Sequence, residues 1–254
     1  MKILLSPAKM LDFSKEIKVP EYTQIHFLKE TESLVKKIKS LPKSELKKLF
    51  GISENLVDLN YQRYQQWKTP LHYGEESKPA LTVFDGEVYK GLDVKTFSSD
   101  DFKRAQESVR ILSGLYGILK PLDLMYPYRL EMGTKWKISA EHKNLYSYWS
   151  DILTTYLKKD LQKDEVIVNL ASSEYFKVLN TKQIDNPIIT PVFKEYKNGE
   201  FKVVMMYAKH ARGAMTRYII QHKINKVQDL KGYNMDQYSF DEKASTENEW
   251  VFIR

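Results

Sequence analysis

The sequence predicts an α+β (mixed α/β) fold: a single domain with a mixed sheet and surrounding helices. Three observations carry that expectation. Short β-branched apolar runs alternate along the chain with longer stretches of helical period. The 10 glycines and 9 prolines are scattered, and neither a repeat nor a low-complexity linker divides the 254 residues. With 42% hydrophobic and 13% aromatic residues, a chain of this length can fill one core.

Taken in order, Lys2–Leu5 is the first strand, leading into the loop Ser6-Pro7-Ala8-Lys9. Thr23–Ser40 reads as a helix with Leu28, Leu34, Val35 and Ile38 on one side. Lys43–Phe50 and Ser53–Trp67 are two more helices joined by Gly51-Ile52, and residues 23–67 are a candidate lobe of their own. Ala80–Phe84 and Glu87–Tyr89 read as strands around the turn pair Asp85-Gly86. Ser98-Ser99-Asp100-Asp101 fits a capping box opening a helix through Ile111. A helix over about residues 142–161 follows, then the apolar run Val166–Leu170, a strand buried on both faces. Pro191–Tyr196 and Phe201–Tyr207 flank Asn198-Gly199, a type I′ hairpin signal. A helix over Lys209–Lys223 comes next, and Trp250–Ile253 ends the chain as a strand.

Composition excludes several classes. With no cysteine there is no disulfide scaffold, no thiolate-held cluster and no thiol redox sensor. The apolar run at Met1–Leu5 stops at Ser6, short of the roughly 7–15 residues of a signal h-region. Val203–Ala208 is far below the roughly 20 residues of a membrane helix. The expectation is a cytoplasmic monomer without membrane contact. Five scattered histidines show neither His-x-x-x-His nor Glu-x-x-His spacing, so no metal site and no cofactor is expected. Neither GxxxxGK[ST] nor GxGxxG is present, which disfavours the common nucleotide-binding enzymes.

The net charge of +7 is unevenly placed. Phe201–Gln228 contains no acidic residue but carries Lys202, Lys209, Arg212, Arg217, Lys223 and Lys226, a candidate anion-binding surface. Within its helix, Ala211, Ala214, Met215, Tyr218 and His222 fall on one side; Lys209, Arg212, Gly213, Thr216 and Arg217 fall on the other. Small residues between cations would let a phosphate backbone approach closely. Lys43–Trp67 has the outline of a helix-hairpin-helix element, with Lys47, Lys48 and Gly51 as phosphate contacts, although any antiparallel helix pair with a glycine turn shares that outline. Leu112–Gly133 holds three glycines in an apolar, aromatic run, with Arg129 and Glu131 either paired or facing a cleft. Two strand-end loops are positioned to meet: Ser6, Lys9 and Asp12 after the first strand, and Ser172, Ser173 and Glu174 after Val166–Leu170. Ser6 and Lys9 are either nucleophile and base, or Lys9 is an anion clamp. Catalytic candidates are thus Ser6, Lys9, Asp12, Glu131 and Glu174, and whether the chain is an enzyme stays open.

Five segments together resemble one family. Ser6-Pro7-Ala8-Lys9 with Leu11-Asp12, Phe84-x-Gly86-x-Val88-Tyr89-x-Gly91-Leu92, Leu112–Gly133, Asn169-Leu170-Ala171-Ser172-x-Glu174-Tyr175-Phe176, and Ala208-Lys209-x-Ala211-Arg212-Gly213-x-Met215-x-Arg217-Tyr218-Ile219 are similar to the YaaA peroxide-stress family of bacteria. Only Leu230-Lys231-Gly232-Tyr233 departs, with Tyr where the family places Phe after the glycine. The resemblance implies a cytoplasmic protein that protects against hydrogen peroxide by limiting unincorporated iron. It also implies an α/β fold of the family's own type, with a positively charged cleft and a helix-hairpin-helix element. That element is carried onto residues 43–67, with Gly114–Lys120 as the competing assignment. Double-stranded or branched DNA is the implied partner, through Lys9, Arg129, Lys209, Arg212 and Arg217 in the cleft and Lys47, Lys48 and Gly51 outside it. The rival is a DNA-repair enzyme (glycosylase, lyase or nuclease) using the same cleft.

Overall fold

A computed structural model describes residues 1–254. Lys2–Leu5 forms β1, with Ile3, Leu4 and Leu5 fully buried. The first helix, α1, runs over Leu28–Lys39 and starts later than its period suggests, because Thr23 is held in an extended bridge to Asp123. Then come α2 (Lys43–Phe50) and α3 (Glu54–Gln66), separated by Gly51 in the left-handed conformation at φ 61°. Leu34, Val35, Ile38, Tyr64 and Trp67 belong to the same core cluster as the sheet, so residues 23–67 are not a lobe of their own.

The short strand β2 (Lys78–Pro79) leads into α4 (Ala80–Val83) and α5 (Glu87–Leu92). These two helices replace the strands expected at Ala80–Phe84 and Glu87–Tyr89. Ala80–Val83 is apolar and buried throughout, and segments as short as these two have no period by which strand and helix differ. The Ser98–Asp101 capping box is present and opens α6 (Ser99–Ser108). That helix stops before Ile111, since β3 (Val109–Ser113) begins at once as a fully buried strand. β4 (Gly117–Leu119) pairs back on β3, which makes Gly114–Lys120 the turn and return of a buried β-hairpin and removes it as a helix-hairpin-helix. β5 (Leu124–Met125) pairs with β2 in a separate two-stranded ladder.

α7 (Leu145–Asp160) is opened by a second capping box, Asn144 with Ser147. β6 (Ile167–Asn169) and the one-turn helix α8 (Ser173–Phe176) follow. β7 (Ile188–Lys197) and β8 (Glu200–Lys202) form the expected hairpin, with Asn198 at φ 57° and Gly199 at φ 84°. The second strand is shorter than expected because α9 (Met205–Gln221) starts within the Phe201–Tyr207 run. β9 (Ser239–Asp241) and β10 (Glu249–Ile253) close the chain.

The main sheet has the order β4-β3-β1-β6-β7-β10-β9, with β8 paired to β7. Strands β3, β1, β6, β7 and β10 are mutually parallel, while β4 and β9 are antiparallel at the edges. From β1 the chain steps one way to β3, and later builds outward the other way through β6, β7 and β10. The order therefore reverses between β1 and β6. In an open α/β sheet the crevice beyond the carboxyl ends of such a strand pair is where ligands collect.

Candidate functional site

A cleft of about 490 Å³ opens at that reversal. Its floor is the loop after β1 (Ser6 to Met10) and the segment after β6 (Leu170 and Ser172 to Tyr175); its walls are α5, residues 128–131 and the start of α9. Residues 128–131 reach the cleft because Gly114 has no side chain: a Cβ there would lie 2.3 Å from the Leu130 carbonyl oxygen. On the other side of the same segment, the Tyr64 hydroxyl of α3 donates to the Arg129 carbonyl at 3.0 Å.

The structure brings most of the expected residues together. Ser6, Lys9, Arg129, Glu131, Glu174, Lys209 and Arg212 all line the cleft. Ser6 Oγ accepts the Ser172 N–H at 2.8 Å and donates to Ser172 Oγ at 3.2 Å, and the Tyr89 hydroxyl donates to the Ser6 carbonyl at 2.9 Å. Lys9 Nζ lies 2.7 Å from Glu131 Oε2, whose other oxygen takes Arg129 Nη2 at 3.2 Å. Arg129 and Glu131 are thus both paired and cleft-facing. Ser6 bonds to Ser172 and Lys9 to Glu131, so a Ser–Lys nucleophile–base pair is not formed.

Other expected residues lie elsewhere. Asp12 does not line the cleft; the Ser14 hydroxyl and N–H bind its carboxylate at 2.6 and 3.0 Å and hold it below the usual carboxylate range. Arg217 pairs with Asp93 at 3.3 Å. Lys47, Lys48 and Gly51 sit on the α2–α3 pair outside the cleft, where Lys47 pairs with Glu54 and the adjacent Lys43 with Asp58 at 2.6 Å. Lys48 stays exposed.

The small residues of α9 have a different use from the one the sequence suggests. Gly213 and Thr216 are buried, not open to a partner. A Cβ on Gly213 would lie 1.7 Å from the Val88 carbonyl oxygen, and one on Gly91 would lie 2.0 Å from the His210 carbonyl oxygen. The glycines let α5 and α9 cross at backbone contact, and that crossing aims Lys209 and Arg212 into the cleft.

Charge in the cleft is balanced in count but not in pairing. Four cations, Lys9, Arg129, Lys209 and Arg212, face four carboxylates, Asp85, Glu87, Glu131 and Glu174. Each carboxylate is already engaged: Asp85 by Lys15 at 3.0 Å, Glu87 by Lys90 at 2.6 Å, Glu131 by Lys9 and Arg129, and Glu174 by the Gly133 N–H at 2.9 Å. Lys209 and Arg212 have no counter-ion. Burial alone lowers the Arg212 pKa, with no hydrogen bond or opposite charge to offset it. Arg129 Nε is also buried without an acceptor.

Three tyrosines of the cleft, Tyr89, Tyr128 and Tyr175, escape sequence reasoning, as do Asp85, Glu87 and Met205. Burial pushes all three tyrosine hydroxyls well up, so they stay protonated. The tyrosines, Asp85 and Glu87 stand in or beside the segments that resemble the family, but an aromatic in an apolar run looks like core. Met205 has no sequence signal.

The sheet order and the cleft define an open α/β protein with a polar crevice at the reversal point of its strands, in which two cations lack a counter-ion. The chain belongs to the family described as peroxide stress protein YaaA, whose model matches residues 1–244. Full-length relatives named UPF0246 protein agree: 49% identity in Flavobacterium johnsoniae over 254 residues, covering 100% of both chains. The Polynucleobacter necessarius relative is 47% identical, with 100% of this chain and 98% of the other covered. The Shewanella putrefaciens relative is 46% identical, with 100% and 99% covered. No helix is long and apolar enough to cross a membrane.

Proposed function

We propose that this member of a peroxide stress family protects DNA by binding it, as a cytoplasmic monomer, with the phosphate backbone of a duplex or branched DNA held at the cleft mouth. Arg212 carries the proposal. It is a guanidinium without a partner in a cleft whose carboxylates are all engaged, and it stands beside the exposed, equally unpaired Lys209. A phosphate oxygen satisfies such a group with a charge-assisted hydrogen bond. Lys9, exposed at the rim, and Arg129 exchange part of their hold on Glu131 for the same anion. Lys48 on the α2–α3 pair adds a contact outside the cleft, with Gly51 at its turn.

Without cysteine the protein has no thiol with which to sense the oxidant, and in our reading it acts downstream of whatever does. The limiting of unincorporated iron that goes with this reading we assign to an indirect route.

The test is fluorescence anisotropy of a labelled duplex across a salt series. Each neutralised phosphate contributes about −0.9 to the log–log slope, so Arg212→Ala should flatten the wild-type slope by about that amount. A wild-type protein that does not bind at low salt, or binds with no salt dependence, overturns the proposal. A second reading, a repair glycosylase, lyase or nuclease, is favoured by Ser6, Glu131 and Glu174 sharing the cleft with these cations. Under it, Lys9→Ala and Glu174→Ala abolish turnover on oxidised or abasic duplexes and leave binding largely intact.

A further inference from the structure

The cleft is too small to seat a duplex, and exposed apolar side chains gather in the chain segment that leads into its α9 wall. Of the eleven large apolar side chains that are exposed, six lie between residues 196 and 207: Tyr196, Phe201, Val203, Met205, Met206 and Tyr207, each 43–63% exposed. Tyr196 and Phe201 stack edge to face at 5.2 Å on the β7–β8 hairpin, and the remaining four run from there into the first turn of α9. Met205 belongs to both surfaces, since it also lines the cleft. One turn further along the same helix come Lys209 and Arg212.

We propose that the cleft receives a single nucleotide turned out of a distorted duplex, and that the apolar ridge of residues 196–207 stands in for it in the base stack. The proposal rests on the DNA-binding reading and names what the cleft itself takes. Three observations support it. First, about 490 Å³ falls within the usual span of a small-ligand site and suits one nucleoside phosphate. Second, the lining offers what a nucleotide needs: the unpaired cations Lys209 and Arg212 for its phosphate, the serine hydroxyls for its base edges, and buried tyrosines behind them. Third, apolar wedges beside a cationic track are how proteins part base steps, and a base presents an apolar face carried on an anionic backbone.

A second copy of the chain fits the ridge less well. Six half-exposed side chains offer roughly 600 Å², below the about 800 Å² per partner of a stable interface. The adjoining cations also call for an anionic occupant.

The experiment uses the full chain with duplexes carrying 2-aminopurine opposite a mismatch, read by fluorescence, while anisotropy reports binding separately. Wild-type protein should raise the fluorescence several-fold at saturation. The ridge double variant Tyr196→Ser, Phe201→Ser, with both positions exposed and outside the cleft, should lose most of that rise while anisotropy still shows bound DNA. Ser173→Trp, which fills the cleft from an exposed position, should lose it as well. Fluorescence that stays quenched while anisotropy shows bound DNA overturns nucleotide extrusion and leaves DNA binding standing. No anisotropy change overturns both. Tight binding of free dAMP without any response to the 2-aminopurine duplex makes the cleft a free-nucleotide site, and also overturns extrusion.

Discussion

Asp123 is 2% exposed and accepts two hydrogen bonds, from the Thr23 hydroxyl at 2.6 Å and the Lys120 N–H at 2.7 Å. Burial pushes its pKa up to about 6, and those two donors only partly offset the cost of desolvation. A carboxyl whose folded pKa is raised contributes stability that is fully present below its unfolded pKa and is lost as the pH rises through the folded one. From about pH 4 to about pH 7 the contribution lost is up to roughly 3 kcal/mol. Asp123→Asn should therefore flatten the fall in denaturant midpoint over that range. A variant with the same pH profile as wild type would assign the slope to other groups. Arg110 presents the opposite case, a buried cation fully compensated: Nε and Nη2 meet the two Asp160 oxygens at 2.8 and 3.0 Å, and Nη1 donates to the Gln106 and Val109 carbonyls. The distinction between these residues and Arg212 is one of partners, and no single position in the sequence reveals it.

At the scale of elements, the crossing of α5 and α9 does most to shape the site. Gly213→Ala would put a methyl group 1.7 Å from a backbone oxygen that cannot move alone, so the helices must part. Overpacking of this kind costs about 3 kcal/mol or more. Gly232→Ala is the matched control, because the nearest atom to its added Cβ is the Tyr218 hydroxyl at an ordinary 3.5 Å. Urea denaturation should show a large loss for the first and almost none for the second; equal midpoints would refute the backbone-contact account. Elements whose cause is local were legible in the sequence. The Ser98–Asp101 capping box and the Asn198-Gly199 turn stand where their chemistry places them. Elements whose cause is tertiary were not. Ala80–Val83 and Glu87–Leu92 fold as helices, the second packed at backbone contact against α9, a partner that no local pattern announces. In sequence the Gly213 face of α9 looks open to phosphate, because small residues serve close approach equally well whether the partner is DNA or another helix.

For the whole molecule, β1 is the organising strand: it is flanked by β3 and β6 on its two sides, and its last three residues have no exposure. Native-state hydrogen exchange should find the Ile3, Leu4 and Leu5 amides opening only with global unfolding, while the edge strand β8 exchanges through local opening. Exchange of β1 as fast as that of β8 would show that the sheet does not unfold as one unit. By itself the sequence determined the fold class, the family, the lack of thiol chemistry and most of the cleft's polar residues, because composition, caps, turns and motif spacing are written in neighbouring residues. Only the tertiary structure decided which charges are free. Asp93 and Glu131 neutralise Arg217 and Lys9 across the fold, Glu54 neutralises Lys47 across the α2–α3 turn, and the α5 backbone occupies the glycine face of α9. Lys209 and Arg212 remain without a counter-ion, since a charge is cancelled by what stands within a few ångströms of it in space, however acid-free its stretch of sequence.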